Sequence, residues 1–314
     1  MSIDETRKRQ GMTAAEDESE FAKLAAIIAR YDYADRPIED VKRLVMAPGT
    51  RESKIYAQLH DIYSNARHLS IRCSDGEADD RAHHLELKQA DVNEGASSLA
   101  GYLSNSVTGM SVLIKPNLVS IGEYPETSSF ETISKILGCV APFASYTAIG
   151  DGPSLFFDSE RAIARVRKEF PSVEVYDFNR SRFRQCSMHS WEAIKIIEVA
   201  EQVYDFDVII NLCNLKAHDS FEYSGAKKNL LGLVSPATRL MIHRLPGSKR
   251  EKALDELACA FMPQTVIMDA RSMMLNAQQK VYGGVPAKGP GMFFSADPVA
   301  LDMKVKDYLG IGGN

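Results

Sequence analysis

Several things are scarce in this chain, and each scarcity excludes something. The five cysteines, Cys73, Cys139, Cys186, Cys213 and Cys259, are scattered and form no CxxC pair. That spacing offers no zinc finger and no ferredoxin-type ligand set. It fits a reducing cytoplasm, and cytoplasmic is the expected location. No run approaches 18 apolar residues, and the first residues are polar, without the apolar core of a signal peptide. Neither a membrane-spanning helix nor a membrane partner is therefore expected. Basic residues are not in excess: Lys and Arg total 37 against 42 Asp and Glu, a formal net charge of −5. A general nucleic-acid binder would usually be basic, so no nucleic-acid partner is expected. There are no internal repeats and no low-complexity tract.

What is present is ordinary globular material. The 314 residues are 45% apolar and 25% charged, enough for two modest domains or one elaborated one. Residues 1–18 are polar, and a disordered tail is expected. Residues 19–107 read as a helical extension. Helical spacing of apolar residues marks Glu20–Tyr31, Ser53–Arg67 and Ala90–Asn105. The acidic run from Cys73 to Asp80 and the His83–His84 pair read as a solvated loop. Adjacent residues diverge on a helix or strand, so the two imidazoles do not make a metal pair.

From 108 to the end the pattern becomes α/β. Short apolar, mostly β-branched or aromatic runs at Ser111–Ile114, Ser145–Ile149, Val173–Tyr176, Ile194–Val199, Val208–Ile210, Val266–Met268 and Met292–Phe294 predict strands. Helical spacing over Thr127–Leu137, Asp158–Phe170 and Lys249–Phe261 separates them. The alternation implies a largely parallel sheet flanked by helices. Asp297–Pro298 reads as a helix start, with Asp297 at the N-cap and Pro298 at N1. Gly283–Gly284 and Gly289–Pro290–Gly291 are expected to bracket a flexible loop. Trp191, Met273–Met274 and Phe293–Phe294 read as core or pocket wall.

The densest chemistry follows the apolar run Val208–Ile210. Asn211, Asn214, Lys216 and His218 come next, then the small-residue turn Ser224–Gly225–Ala226–Lys227–Lys228–Asn229, then His243. In open α/β sheets, sites lie outside the carboxyl ends of strands. Ammonium groups and turn amides there hold anions, and imidazoles move protons or ligate metals. His218, Lys227 and His243 are the candidate catalytic residues. They are expected to converge on one cleft, with Lys115 and Asn117 on its wall. Lys228–Asn229 is the alternative working pair, because the turn permits either neighbour to face inward. Lys115, Asn117, Lys216, Lys228 and Asn229 are candidates for holding an anionic substrate. Asp151, between Gly150 and Gly152, and Asp269 are candidate ligands of a divalent cation.

The motifs NLKAH and SGAKKNLLGL, together with Ile114–Leu118, Gly150–Gly152, Met268–Asp269 and Asp297–Asp302, resemble the DUF362 family over roughly residues 110–305. The biochemical role of that family is largely unassigned. Many of its members carry a Cys-rich ferredoxin-like segment. This chain has none, so no iron–sulphur cluster is expected. A fainter similarity reaches the nickel-pincer lactate racemases. In that family a His precedes a Gly-Gly-x-Lys-type turn whose Lys carries the cofactor, and a second His follows. His218, Gly225–Ala226–Lys227 and His243 fall in that order. The resemblance implies an enzyme on a small carboxylated or phosphorylated metabolite, with racemase- or epimerase-like acid–base chemistry. A metal-dependent or redox enzyme and a non-catalytic ligand-binding protein are the alternatives.

Overall fold

A computed structural model describes residues 93–94, 103, 107–154, 159–187, 191–218, 221, 223–261 and 264–309. All lie in one compact unit, Ala66–Asn314. The expected polar tail, the helices at Glu20–Tyr31 and Ser53–Arg67, and the acidic loop with His83–His84 fall outside these residues.

The fold is α/β. In chain order the strands are β1 (Asn93–Glu94), β2 (Ser111–Lys115), β3 (Tyr146–Asp151), β4 (Glu174–Asp177), β5 (Phe183–Cys186), β6 (Ile197–Ala200), β7 (Val208–Ala217), β8 (Tyr223–Ser224), β9 (Gln264–Leu275) and β10 (Val285–Ser295). The helices are α1 (Phe130–Val140), α2 (Ser159–Glu169), α3 (Ala226–Asn229), α4 (Pro236–Arg244), α5 (Gly247–Ala260) and α6 (Pro298–Val305). The main sheet runs β1-β10-β9-β7-β2-β3-β4, with β8 paired to β7; β5 and β6 form a separate hairpin. The five strands β9, β7, β2, β3 and β4 are mutually parallel, and β10, β1 and β8 join antiparallel. Asn93–Glu94 is therefore strand, where the apolar spacing of Ala90–Asn105 predicts helix. Pairing of Asn93 with Phe294 and of Glu94 with Phe293 overrides the local periodicity.

Period-two alternation divides the core between the two faces of the sheet. Ile210, Leu212, Ile267 and Phe294 pack on one side with Ile133 and Ile136 of α1 and Ile163 and Val166 of α2. Cys213, Leu215, Val266, Met268 and Phe293 pack on the other with Ala226 of α3 and Leu301 and Val305 of α6. Helices on both faces explain why the parallel strands read as continuous apolar runs. Trp191, Met274, Phe293 and Phe294 are buried, as expected of core residues.

The expected loop at Gly289–Pro290–Gly291 is instead part of β10. Lys288 pairs with Ser272 and Gly291 with Ala270, so β10 carries one extra residue there. This is a bulge. Pro290, lacking an N–H, is tolerated where the ladder is interrupted. A Cβ on Gly289 would lie 1.9 Å from the Ala270 carbonyl oxygen.

The sheet order sets the position of the site. From β2 the chain moves outward through β3 to β4. It then returns to the other side of β2 as β7 and continues to β9. The order reverses between β2 and β7, which makes their carboxyl ends a topological switch point, the usual place for a ligand in such sheets. Lys115 ends β2 and pairs with Asn211, while β7 continues past it to Ala217.

Candidate functional site

At the switch point Lys115, Asn117, Asn211, Lys216 and Asn229 form one buried polar network. Asn229, on the single turn α3, is its hub. Its amide nitrogen donates to Asn211 Oδ1 (2.8 Å) and the Leu212 carbonyl (3.2 Å). Its oxygen accepts from Asn117 Nδ2 (3.0 Å) and Lys115 Nζ (3.4 Å). Lys216 Nζ donates to Asn117 Oδ1 (2.7 Å) and to the Glu126 carbonyl (2.8 Å). The structure thus brings together the candidates Lys115, Asn117, Lys216 and Asn229. Lys115 and Lys216 are each only 1% exposed, so both lie beneath the surface of the site.

Lys115 is paired with Asp151 across 2.6 Å. Burial pulls its pKa below the ordinary lysine value, and the Asp151 carboxylate opposes that. The other Asp151 oxygen accepts from the Leu118 N–H (2.7 Å). Gly232 makes the pairing possible: a Cβ there would sit 2.0 Å from Asp151 Oδ1 and 2.8 Å from Lys115 Nζ. The close approaches at Gly150 and Gly152 are likewise made by the protein itself. Gly150 lies under the Phe178 ring, and Gly152 lies against Gly232, Asn179 and Arg239. Arg239, buried on α4, donates to the carbonyls of Gly152 (2.8 Å) and Pro153 (3.0 Å). Burial draws its pKa down to about 10, with Asp151 and Asp177 opposing.

Asp269 stands apart from Asp151. It accepts from Tyr124 Oη (2.8 Å) and Thr132 Oγ1 (2.6 Å), and Arg271 grips both of its oxygens (3.0 and 2.9 Å). Burial alone would raise its pKa, but Arg271, Thr132 and Tyr124 outweigh it and the pKa is lowered. The two candidate metal ligands are thus separately engaged, one by lysine and one by arginine. Among the described residues no group of three or more His, Cys, Asp or Glu is placed to hold a metal ion.

Asp297 caps α6 as its sequence position implies, accepting from Val299 N (2.8 Å) and Ala300 N (3.1 Å). Asp302, further along α6, supports the cationic turn. Its carboxylate accepts from Ala226 N (2.7 Å) and Lys227 N (3.0 Å). Burial raises its pKa to about 6 against the pull of those two amides. A Cβ on Gly225 would lie 2.3 Å from Asp302 Oδ1, so only glycine lets the carboxylate approach.

The two lysines of that turn part company. In a helix each residue is rotated by about 100° from the one before it. Lys227 reaches α5, where it pairs with Asp255 (2.8 Å) and Glu251 (3.7 Å). Lys228 lies over the ring of Phe221, 5.0 Å from its centre. The same ring receives His218 (5.2 Å) and His243 (4.9 Å) edge-on, and Arg250 at 5.1 Å. The convergence expected of His218, Lys227 and His243 therefore forms around Lys228 in place of Lys227. The sequence pattern singles out neither Phe221 nor Arg250. A lone Phe between two His-bearing elements carries no signal until the elements are folded together.

The two imidazoles are held in opposite tautomers. His218 Nδ1 accepts from the Phe221 N–H (3.2 Å), which places its proton on Nε2. His243 Nδ1 lies 2.7 Å from the Arg239 carbonyl, which can only accept, so the proton is on Nδ1 and Nε2 is the basic nitrogen. Burial, then the Lys228 charge, hold His243 down to about 3. It is neutral throughout the physiological range.

Lys216 gives a pH-dependent signature. Burial, then the neighbouring Lys228 charge, lower its pKa to about 7 from 10.5. Between those values the unfolded chain binds a proton that the folded chain does not. Stability should therefore rise with pH across that window, by up to about 1.4 kcal/mol per pH unit from this residue. Urea midpoints at pH 7, 8 and 9 check it: Lys216→Met should flatten the rise. An unchanged slope in the variant would show that Lys216 is charged in the fold.

Fold and site together define a doubly wound α/β protein with a buried network of lysines and asparagines at its switch point. The family model described as "Domain of unknown function (DUF362)" matches residues 112–306, and the chain belongs to that family. The chain is also 27% identical over 209 residues to a thylakoid-associated protein of Synechocystis sp.. That alignment covers 64% of this chain and 63% of the relative, so the chain spans somewhat under two thirds of the relative's length. Among the described residues no helix is long and apolar enough to cross a membrane.

Proposed function

We propose that the protein is an enzyme acting on a small carboxylated or phosphorylated metabolite by acid–base chemistry of the racemase or epimerase kind. His218 and His243 exchange the proton, and Lys228 holds the anionic group. The observation that carries this reading is the arrangement on Phe221: two imidazoles in complementary tautomers, one presenting Nε2–H and one an unprotonated Nε2, beside an ammonium. A proton donor and a proton acceptor that need no prior rearrangement are what removal and return of a carbon-bound proton require. Lys228, with Arg250 on the same ring, supplies the charge that would draw an anion into an otherwise acidic protein. The reading goes with a cytoplasmic location. The relative's thylakoid association makes a membrane surface the alternative, and cell fractionation separates the two.

Thermal-shift titration with a panel of small carboxylates and phosphates tests the anion site. Lys228→Ala should weaken the best ligand about tenfold or more, as loss of one charge-assisted contact does. Lys227→Ala should leave that affinity unchanged, because its ammonium is directed to Asp255 and Glu251 of α5 and not to the Phe221 ring that the histidines share. The reverse pattern, or no anion that stabilises the wild type, would remove the basis for this reading.

A further inference from the structure

Lys115 and Lys216 are buried at the same switch point, yet their surroundings differ in kind. Lys115 Nζ meets three oxygens: Asp151 Oδ1 at 2.6 Å, the Pro116 carbonyl at 2.8 Å and Asn229 Oδ1 at 3.4 Å. Three acceptors, one of them a carboxylate, match the three N–H bonds and the charge of an ammonium. Lys216 Nζ meets two oxygens, Asn117 Oδ1 and the Glu126 carbonyl, and both are neutral. Among the described residues it forms no ion pair within 4.0 Å. Two acceptors match the two N–H bonds of an uncharged amine and leave a lone pair over. The charged and ionisable groups that act on it are the Lys228 ammonium, which disfavours a second charge, and Glu126, Asp151 and Cys213, which favour one less strongly than burial opposes it. A lysine desolvated and set beside another cation is the usual form of an activated amine nucleophile.

We propose that Lys216 is a neutral, nucleophilic amine that forms an imine with the aldehyde or keto carbonyl of a small anionic substrate whose acid group rests on Lys228. The inference takes its anion anchor from the function proposed above and adds the carbonyl and the covalent step. The Lys216 lone pair adds to the carbonyl carbon and the C–N bond forms. The two amine protons leave with the carbonyl oxygen as water, and a C=N bond remains. No oxidant or reductant is involved. Both acceptors of Lys216 belong to the loop between β2 and α1, so an entering carbonyl displaces Asn117 and the Glu126 carbonyl from the amine. Proton transfer beside an imine is easier than beside a free carbonyl, because the protonated imine draws electrons more strongly. The covalent step therefore suits the neighbouring histidine pair.

The test is reductive trapping on the wild-type protein. Purified protein is incubated at pH 7 with pyruvate, and separately with glyceraldehyde 3-phosphate, in the presence of sodium cyanoborohydride. Labelled lysines are then mapped by peptide mass spectrometry. One of the two probes should label Lys216 roughly tenfold or more above any surface lysine, reflecting its larger share of free amine at pH 7. Lys216→Arg should lose that label. Label confined to surface lysines, with Lys216 unmodified under both probes, would overturn the proposal. Thermal shift on the same samples without reductant keeps the two readings apart. Stabilisation without Lys216 labelling overturns the imine and leaves the anion site. Neither stabilisation nor labelling overturns both. The wild-type map decides the matter even if the variant fails to fold.

Discussion

Asp151→Ala is expected to destabilise the protein by about 3–5 kcal/mol, the usual effect of removing one partner of a buried ion pair. Asp151 is 3% exposed and Lys115 1% exposed, so water cannot replace the lost carboxylate. The damage extends beyond one partner. Asp151 also offsets the charge of Arg239, which is buried on α4 and, among the described residues, hydrogen-bonds to the neutral oxygens of Gly152, Pro153 and Asn179. It accepts the Leu118 N–H as well, which fixes the start of the loop after β2. Urea denaturation of the single variant and of Asp151→Ala/Lys115→Met measures the effect. The double variant should recover a large part of the loss, because an apolar side chain replaces an unpaired buried cation. A single variant within about 1 kcal/mol of wild type would show that the pair is not what holds the switch point together. Gly232→Ala attacks the same pair from the side. Its stability loss should accompany that of Asp151→Ala, since the added methyl would occupy the space of the Asp151 oxygen.

The strands and helices of the α/β part were legible because both faces of the sheet are covered. The parallel strands β2, β3, β4, β7 and β9 read as short apolar runs, and α1, α2 and α5 repeat their apolar residues at helical spacing; the short β5 and β8 carry no such run. What local pattern hid was the length of the central strands. Val208–Ile210 reads as a strand that ends at Asn211, yet β7 runs to Ala217. Asn211, Asn214 and Lys216 look like loop residues, and they stay in the strand because side chains from α3 and the loop after β2 satisfy them. β9 extends likewise through Asp269 and Arg271, which neutralise each other. The grouping of the candidate residues is partly legible; their individual placement is not. Lys115, Asn117, Lys216 and Asn229 do meet. Which lysine of the pair Lys227–Lys228 faces the histidines depends on the phase of one helical turn, and the acids of α5 determine it. Asp151 reads as a free cation ligand because its partner, Lys115, lies 36 residues away in the chain.

Loss of His243 should lower the rate of proton exchange by about 10²–10⁴, the ordinary contribution of a positioned acid or base, and leave anion affinity within about tenfold. The rate is read as deuterium incorporation from solvent into whichever anion binds at Lys228. His243 also packs on Phe221 and bonds the Arg239 carbonyl, so alanine would remove structure together with chemistry. His243→Asn separates the two: the asparagine amide can still donate to that carbonyl but has no basic nitrogen. A structural role predicts that Asn restores the rate; a proton-transfer role predicts that it stays low while the melting temperature returns toward wild type. His218→Asn should be as slow, because each imidazole serves one end of the exchange. The pH profile adds a constraint with a definite sign. His243 is neutral in the fold down to about pH 3, so its unprotonated fraction does not change at any pH above that, although burial also makes it a weaker base than a free imidazole. Its own titration should therefore not depress kcat/KM between pH 5 and 8, and a fall on the acid side must come from another group. The decisive comparison is His243→Asn against wild type, both saturated with the same anion. Equal exchange rates would remove His243 from the chemistry and leave it a packing residue on Phe221.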